Sequence, residues 1–283
     1  MPLQLDLALL VVFAASIHAV WNAVVKASDD RHLTFAAILS AGTLVCLPAA
    51  FFVEPPPAAA WPYLAASVVV HNAYFVLLTL AYRFGDLGQV YPLARGTAPL
   101  AVAILAALLA GEMPGTTGAA GILLVSAGIA SLAFAGGGGV SLKPVLLATA
   151  TGLLIAGYNV ADGLGMRQAA SPWGYIVWLN MMVGLPFVLG VAAWRRHRLG
   201  SFVKARWKTD FSLGFLNIVA YVLFLYALSQ GAMAHVTALR ETSVLMAVLI
   251  GAVKLREPFG GSRIAAACAI VAGLIIMQTS SWE

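Results

Sequence analysis

The chain has 283 residues, of which 61% are hydrophobic and only 10% charged, with a mean hydropathy of +0.93. Soluble domains carry roughly 25% charged residues, so this composition excludes a water-soluble globular protein and marks an integral membrane one. The formal net charge of +5 gathers largely in one loop, which makes it a topology signal and argues against nucleic acid as a partner.

A helix crossing the hydrocarbon core needs about 20 apolar residues. Ten such runs follow one another: 5–26, 33–53, 62–82, 88–110, 116–135, 143–165, 174–194, 210–230, 233–253 and 262–280. The first lies behind Met1 to Asp6, which holds an acid and no base, and it outlasts the apolar stretch of a secretory signal, so it is expected to remain as a helix. Turn-forming residues separate the runs at Ser28 to Arg31, Glu54 to Pro57, Gly85-Asp86, Met113 to Gly115, Gly136 to Gly139, Ser171-Pro172, a basic loop at 195–208, and Glu257 to Gly261. The two cysteines, Cys46 and Cys268, lie in apolar runs without pair or metal-ligand spacing and read as small buried packing residues.

Run four contains Tyr91-Pro-Leu-Ala-Arg95-Gly-Thr-Ala-Pro99 and closes at Gly111-Glu112; run nine contains Ala238-Leu-Arg240-Glu-Thr-Ser243 and closes at Glu257. The arginine precedes the closing glutamate by the same interval in both, 112 − 95 = 257 − 240 = 17. With one residue allowed to slip near Pro92, Gly85 aligns with Gly231 and Val90 with Val236, and Trp21-Asn22 matches Tyr158-Asn159. The chain reads as a duplication: residues 1–135, a glycine-rich connection at 136–142, and residues 143–283. Five crossings per half invert the second copy relative to the first, which is a transporter architecture with its substrate site at the repeat interface.

Thirteen Lys and Arg residues fall in the loops after runs one, three, five, seven and nine, against Arg167 alone on the other side. The positive-inside rule would put those loops in the cytoplasm and both termini outside. Trp61, Tyr63, Trp173, Trp194, Trp207 and Trp282 lie near run ends as interfacial anchors.

An arginine at a helix centre costs about 2.5–3.5 kcal/mol on insertion scales, so Arg95 and Arg240 should face the protein interior or a wet cavity, as substrate contacts or as packing devices that neutralise an acid. Run one sets His18 and Asn22 one turn apart beside Trp21; run three presents His71 with Tyr74 and Phe75; run six sets Tyr158 and Asp162 one turn apart beside Asn159; run eight presents Asn217 and Tyr221. Together these make the aromatic and hydrogen-bonding walls that a polar organic molecule needs, although each polar residue alone also fits interhelical glue. His18, His71, Asp162 and Glu241 are the groups able to exchange a proton. Small residues in runs five and ten, Gly118 to Gly128 and Ala265 to Gly273, suit close packing or a dimer face, and run seven, with Asn180 and Pro186, reads as structural.

With ten helices in two five-helix repeats, the Trp21-Asn22 pair, the run ending at Gly111-Glu112 and its counterpart ending at Arg256-Glu257-Pro258, the sequence resembles the EamA-type branch of the drug/metabolite transporter superfamily. The resemblance implies an all-α polytopic membrane protein whose ten transmembrane helices, in two inverted five-helix repeats, surround a central cavity lined by helices 1, 3, 4, 6, 8 and 9. It also implies alternating access and cytoplasmic termini, the reverse of what the loop charges imply.

The expected function is secondary transport of a small polar metabolite, an amino acid, a carboxylate or a phosphonate-like anion, in a cell membrane, the inner membrane of a bacterium. The chain would act in the lipid bilayer as monomer or homodimer, with no cofactor, no metal and no nucleic acid. A lipid-handling or partner-stabilising membrane protein is the alternative. HExxH, Gly-x-Ser-x-Gly and GK[ST] motifs are all missing from the sequence, which argues against an enzyme.

Overall fold

Lipid offers a backbone no hydrogen-bond partners, so a long apolar chain crosses it as helices. The computed structural model describes residues 3–26, 31–84, 87–134, 141–246 and 261–280, without the side chains of 21–26, 31–32 and 87–88. Ten α-helices lie within the described residues: α1 Leu5–Lys26, α2 Arg31–Ala49, α3 Trp61–Phe84, α4 Leu87–Ala110, α5 Thr116–Leu132, α6 Leu142–Gln168, α7 Pro172–Trp194, α8 Arg196–Gln230, α9 Met233–Arg240 and α10 Gly261–Gln278. Six described helical stretches are long and apolar enough to span a bilayer, and three shorter apolar ones fall in α1, α2 and α5. Glu257 and Trp282 lie outside the described residues, as does the glycine run 136–139.

Three expectations need correction. The basic stretch 195–208 is helical and continues without interruption into the eighth span, giving a 35-residue α8. Its charges sit on successive turns rather than in a flexible loop, and Arg206 pairs with Asp210 one turn on at 3.2 Å. Run nine, in turn, is interrupted: α9 ends at Arg240 and helix resumes at 242–246. Cys268 is exposed on α10 rather than buried, whereas Cys46 is buried as expected.

Helix α3 packs on α6 and α1 on α8; α4 packs on α6 and α1 on α9; α2 packs on α8 and α3 on α7. Each pair is the image of the other when every helix of the first five is exchanged with the one five places on. The packings α5–α10 and α2–α7 map onto themselves and are also present. Such a contact pattern is what two equivalent five-helix units produce.

Large apolar side chains such as Phe13, Leu108, Leu153 and Ile275 are left exposed on the outside, where acyl chains would solvate them. Inside, glycines bring helices together. A Cβ at Gly121 would stand 2.8 Å from the carbonyl oxygen of Gly273, and one at Gly273 would stand 2.7 Å from that of Gly121. The small residues of α5 and α10 therefore face each other across one seam. Gly111, at φ 70°, ends α4 in the left-handed region and turns the chain so that the Glu112 N–H reaches the Ala106 carbonyl at 3.2 Å. That turn aims the Glu112 side chain at the neighbouring half.

A valine at Gly273 has no room without moving backbone, and overpacking of this kind costs about 1–3 kcal/mol. Gly273→Val is expected to lower the temperature at which the detergent-solubilised protein loses its monodisperse size-exclusion peak, whereas Gly190→Val, at a site with open space around it, should not.

Candidate functional site

The interruption of run nine organises the polar interior. Glu241 donates its N–H to Ala238 at 3.0 Å and Val244 donates to Glu241 at 2.9 Å, three-residue spacings that tighten the chain out of the α-helical ladder. The Thr242 hydroxyl donates to the Leu239 carbonyl at 2.8 Å, which satisfies an acceptor at the break. No proline is involved. What holds the break is a fully buried carboxylate: Glu241 Oε2 lies 3.0 Å from Arg95 Nε of α4, and Arg95 Nη2 donates to Ser243 Oγ at 3.2 Å. The 3.0 Å contact is an ion pair by distance, but its N–H direction misses hydrogen-bond geometry. The glutamate also sits at the start of the renewed helix 242–246, where the helix dipole favours negative charge.

Arg240, adjacent in sequence, has a different environment. Its guanidinium carbon lies 4.1 Å from the Phe224 ring centroid and 5.5 Å from that of Tyr221, both on α8. It is 93% buried by its 7% exposure, its Nη1 has no hydrogen-bond partner, and no described acid lies within ion-pair distance. Two aromatic faces stabilise the charge by cation–π attraction and leave its N–H donors unused.

Arg240 forms part of a cavity wall with His18 of α1, Phe35, Ile38, Leu39 and Gly42 of α2, His71, Tyr74 and Phe75 of α3, Tyr158 of α6, Asn180, Val183 and Gly184 of α7, and Asn217, Ile218 and Tyr221 of α8. Its free volume is about 70 Å³ on the scale where one water needs roughly 10–15 Å³. That is room for several waters or one small solute. The ring of His71 stacks on Tyr158 at 3.7 Å between centroids, and Tyr74 meets Tyr158 edge-on at 5.7 Å. Behind this wall Asp162, with no exposed surface, accepts hydrogen bonds from Tyr175 at 3.2 Å and from Tyr221 at 3.1 Å.

At one end of the bundle, Glu112 joins three helices. Its Oε2 accepts the N–H of Met233, the first residue of α9, at 2.8 Å, while its Oε1 pairs with Arg167 near the end of α6. Among the described residues no group of three or more His, Cys, Asp or Glu side chains converges as a metal site would require.

Of the residues singled out from the sequence, His18, His71, Tyr74, Tyr158, Asn217, Tyr221 and Arg240 line the cavity. Arg95 and Asn159 do not reach it: Arg95 is turned into the ion pair with Glu241, and Asn159 is fully buried behind Tyr158, its amide atoms without partners. The side chains of Trp21 and Asn22 lie outside the described residues. Helix α7, read as structural, and α2, outside the lining set that the family resemblance implies, supply much of the wall, and α4 supplies none of it. Asn180 and Gly184 stand one turn apart on α7, a polar-and-small face visible at helical spacing but outweighed by the apolar residues around it.

Removing one member of a buried ion pair costs about 3–5 kcal/mol, because it leaves an uncompensated charge, whereas replacing both by apolar groups is often neutral. Glu241→Leu is therefore expected to destabilise the protein strongly, and the double variant Arg95→Met/Glu241→Leu to recover most of the loss in thermal melts. Additive effects in the two single variants and the double would show that the pair is not coupled.

A helical bundle with lipid-facing sides, enclosing a small polar chamber with a buried cation on its wall, is the build of a multi-pass membrane transport protein. The EamA-like transporter family model matches twice, over residues 6–134 and 142–279, and the chain belongs to that family. An uncharacterised transporter of Bacillus subtilis (strain 168), YdeK, is 26% identical over 185 residues, which cover 62% of this chain and 61% of that relative. A solved crystal structure has the same fold, with a TM-score of 0.73 at 19% identity over 95% of this chain and 94% of its own.

Proposed function

We propose that the protein is a secondary transporter that carries a small organic anion, such as a carboxylate, an amino acid held by its carboxylate, or a phosphonate, and that Arg240 is the group that binds it. The observation that carries this reading is the contrast between the two buried arginines. Arg95 is neutralised by Glu241, whereas Arg240 keeps an unused N–H donor at the cavity wall, lies against two aromatic faces and has no described carboxylate within ion-pair distance. An anion supplies what that guanidinium lacks, with the fork geometry that suits carboxylate and phosphonate. The hydroxyl, imidazole and amide groups of Tyr74, His71 and Asn217 offer further hydrogen bonds, and Phe35, Phe75 and Ile218 an apolar surface for the rest of the molecule.

Transport by alternating access, with halves at 1–135 and 143–283 joined through 136–142, is supported by the two family-model matches and by the exchange symmetry of the helix packing. Glu112 then acts as a clasp between halves, since it ties the end of α4 to α6 and α9, and it would have to release for the cavity to open at that end. The setting is a cell membrane, in a bacterium the inner one.

Purified protein in liposomes, screened with radiolabelled amino acids, carboxylates and phosphonates, tests the reading. Loss of a charge-assisted contact worth about 1.5–3 kcal/mol corresponds to roughly 10- to 100-fold. Arg240→Ala is expected to lower uptake at sub-saturating solute by about that factor, and Arg240→Lys by less, as a point charge replaces the fork. Undiminished uptake in Arg240→Ala would overturn the assignment.

A further inference from the structure

The hydrogen bonds behind the cavity wall form one chain: Asp162 Oδ2 to Tyr221 OH at 3.1 Å, Tyr221 OH to His71 Nε2 at 3.0 Å, and His71 Nδ1 to the Ser67 carbonyl at 2.9 Å, with Ser67 Oγ at 3.1 Å. A carbonyl oxygen only accepts, so the tautomer that satisfies the 2.9 Å contact carries its proton on Nδ1. With that proton in place, a neutral His71 presents a bare acceptor at Nε2, and an ionised Asp162 is an acceptor as well. Tyr221 stands between them with a single O–H. It can serve one and not the other, and one buried contact would be left as two facing lone pairs.

One additional proton resolves the conflict in either of two arrangements. In the first, Asp162 is the acid and donates to the Tyr221 oxygen, while Tyr221 donates to His71 Nε2. In the second, the Asp162 proton has passed to the Tyr221 oxygen as the phenolic proton passed to Nε2. Asp162 is then a carboxylate accepting from Tyr221, and His71 is an imidazolium donating through both nitrogens. Both arrangements hold the same number of protons and give every contact one donor.

We propose that Asp162, Tyr221 and His71 form a proton-binding site that shares one exchangeable proton, and that its occupancy is linked to the anion at Arg240, so that the carrier takes up proton and anion together. The linkage runs through Tyr221, whose ring lies under the Arg240 guanidinium and whose hydroxyl lies on Asp162. An unpaired Arg240 opposes binding of another positive charge nearby; an anion that neutralises it removes the opposition. By reciprocity, a bound proton then strengthens anion binding equally.

The other titratable and charged groups around the site keep this arithmetic intact. Arg95 of α4 is neutralised by Glu241, Tyr175 of α7 only donates to Asp162, and Tyr158 of α6 packs flat on His71. His18 of α1 lines the same cavity.

The shared proton stands on the hydrogen-bond chain alone; only its linkage to transport rests on the carrier reading. Infrared difference spectra of the full-length protein in liposomes, recorded without solute as pH is stepped from mildly acid to mildly alkaline, test both. Wild type is expected to show a carboxylic-acid C=O stretch that vanishes as the site loses its proton, that is missing in Asp162→Asn and shifted in Tyr221→Phe and His71→Gln. Arg240→Gln imitates the neutralised cation, and the acid band should then persist to higher pH than in wild type. Should Asp162→Asn fail to fold by size-exclusion, the band shift in Tyr221→Phe decides the assignment. An acid band that no Asp162, Tyr221 or His71 variant alters, or the absence at every pH of both that band and an imidazolium ring mode, would overturn the shared proton. An unchanged titration in Arg240→Gln would overturn the linkage. Because these spectra involve no solute, their failure leaves the Arg240 uptake result standing, and failed uptake leaves the spectra standing.

Discussion

The structure depends on how two guanidinium groups are kept inside an apolar bundle. Each carries a charge that hydrocarbon cannot solvate, so each must be compensated within the protein. The two solutions differ in kind. Arg95 receives a full countercharge from Glu241, which sits where the ninth helix breaks, and a glutamate carboxylate at zero exposure is tolerable there only beside a cation. Arg240 has no described acid within ion-pair distance and is held by the faces of Phe224 and Tyr221. A break in one helix and an unspent charge on the cavity wall are therefore two results of a single arrangement.

The two halves of the proposed repeat do not use their matched arginines alike. Gly96 follows Arg95, whereas Glu241 follows Arg240. The glycine lets α4 lie against α5, where a Cβ would meet the Ser126 carbonyl at 2.9 Å, and α4 runs unbroken despite Pro92 and Pro99. The glutamate instead reaches across to α4 and stops α9. One difference between the two segments thus separates an arginine held in an ion pair from one left on the cavity wall. It also explains why a break appears in the segment without proline, since the cause is a tertiary ion pair and not a missing backbone donor.

The helices were legible in the sequence because lipid imposes one rule on every span, and run length alone reveals it. α1, α3, α6 and α7 begin and end within a few residues of their apolar runs. The basic stretch 195–208 was not legible as helix, since hydropathy reports membrane depth rather than conformation, and Arg206–Asp210 is the i,i+4 signal that periodicity held there. The cavity was legible where a helix carried a polar stripe, as with His71 and Tyr74 or Asn217 and Tyr221. It was not legible on α2, whose wall residues Phe35, Leu39 and Gly42 are indistinguishable from lipid-facing ones until the helices are packed. Nor could the sequence assign the acids, for Glu241 and Asp162 differ only in which partners the fold brings to them.

The placement of those two acids determines what the chamber can hold. Glu241 is spent on Arg95, and Asp162 lies behind the wall, occupied by two phenols. Neither presents an oxygen to the cavity, while Arg240 presents a cation. A solute cation would therefore meet repulsion and no countercharge, whereas an anion gains a partner that has already been desolvated and oriented. On the proposed alternating-access reading, a bundle that rearranges within lipid moves more readily with the Arg240 cation neutralised, since the cost of carrying a bare ion past hydrocarbon falls with its net charge.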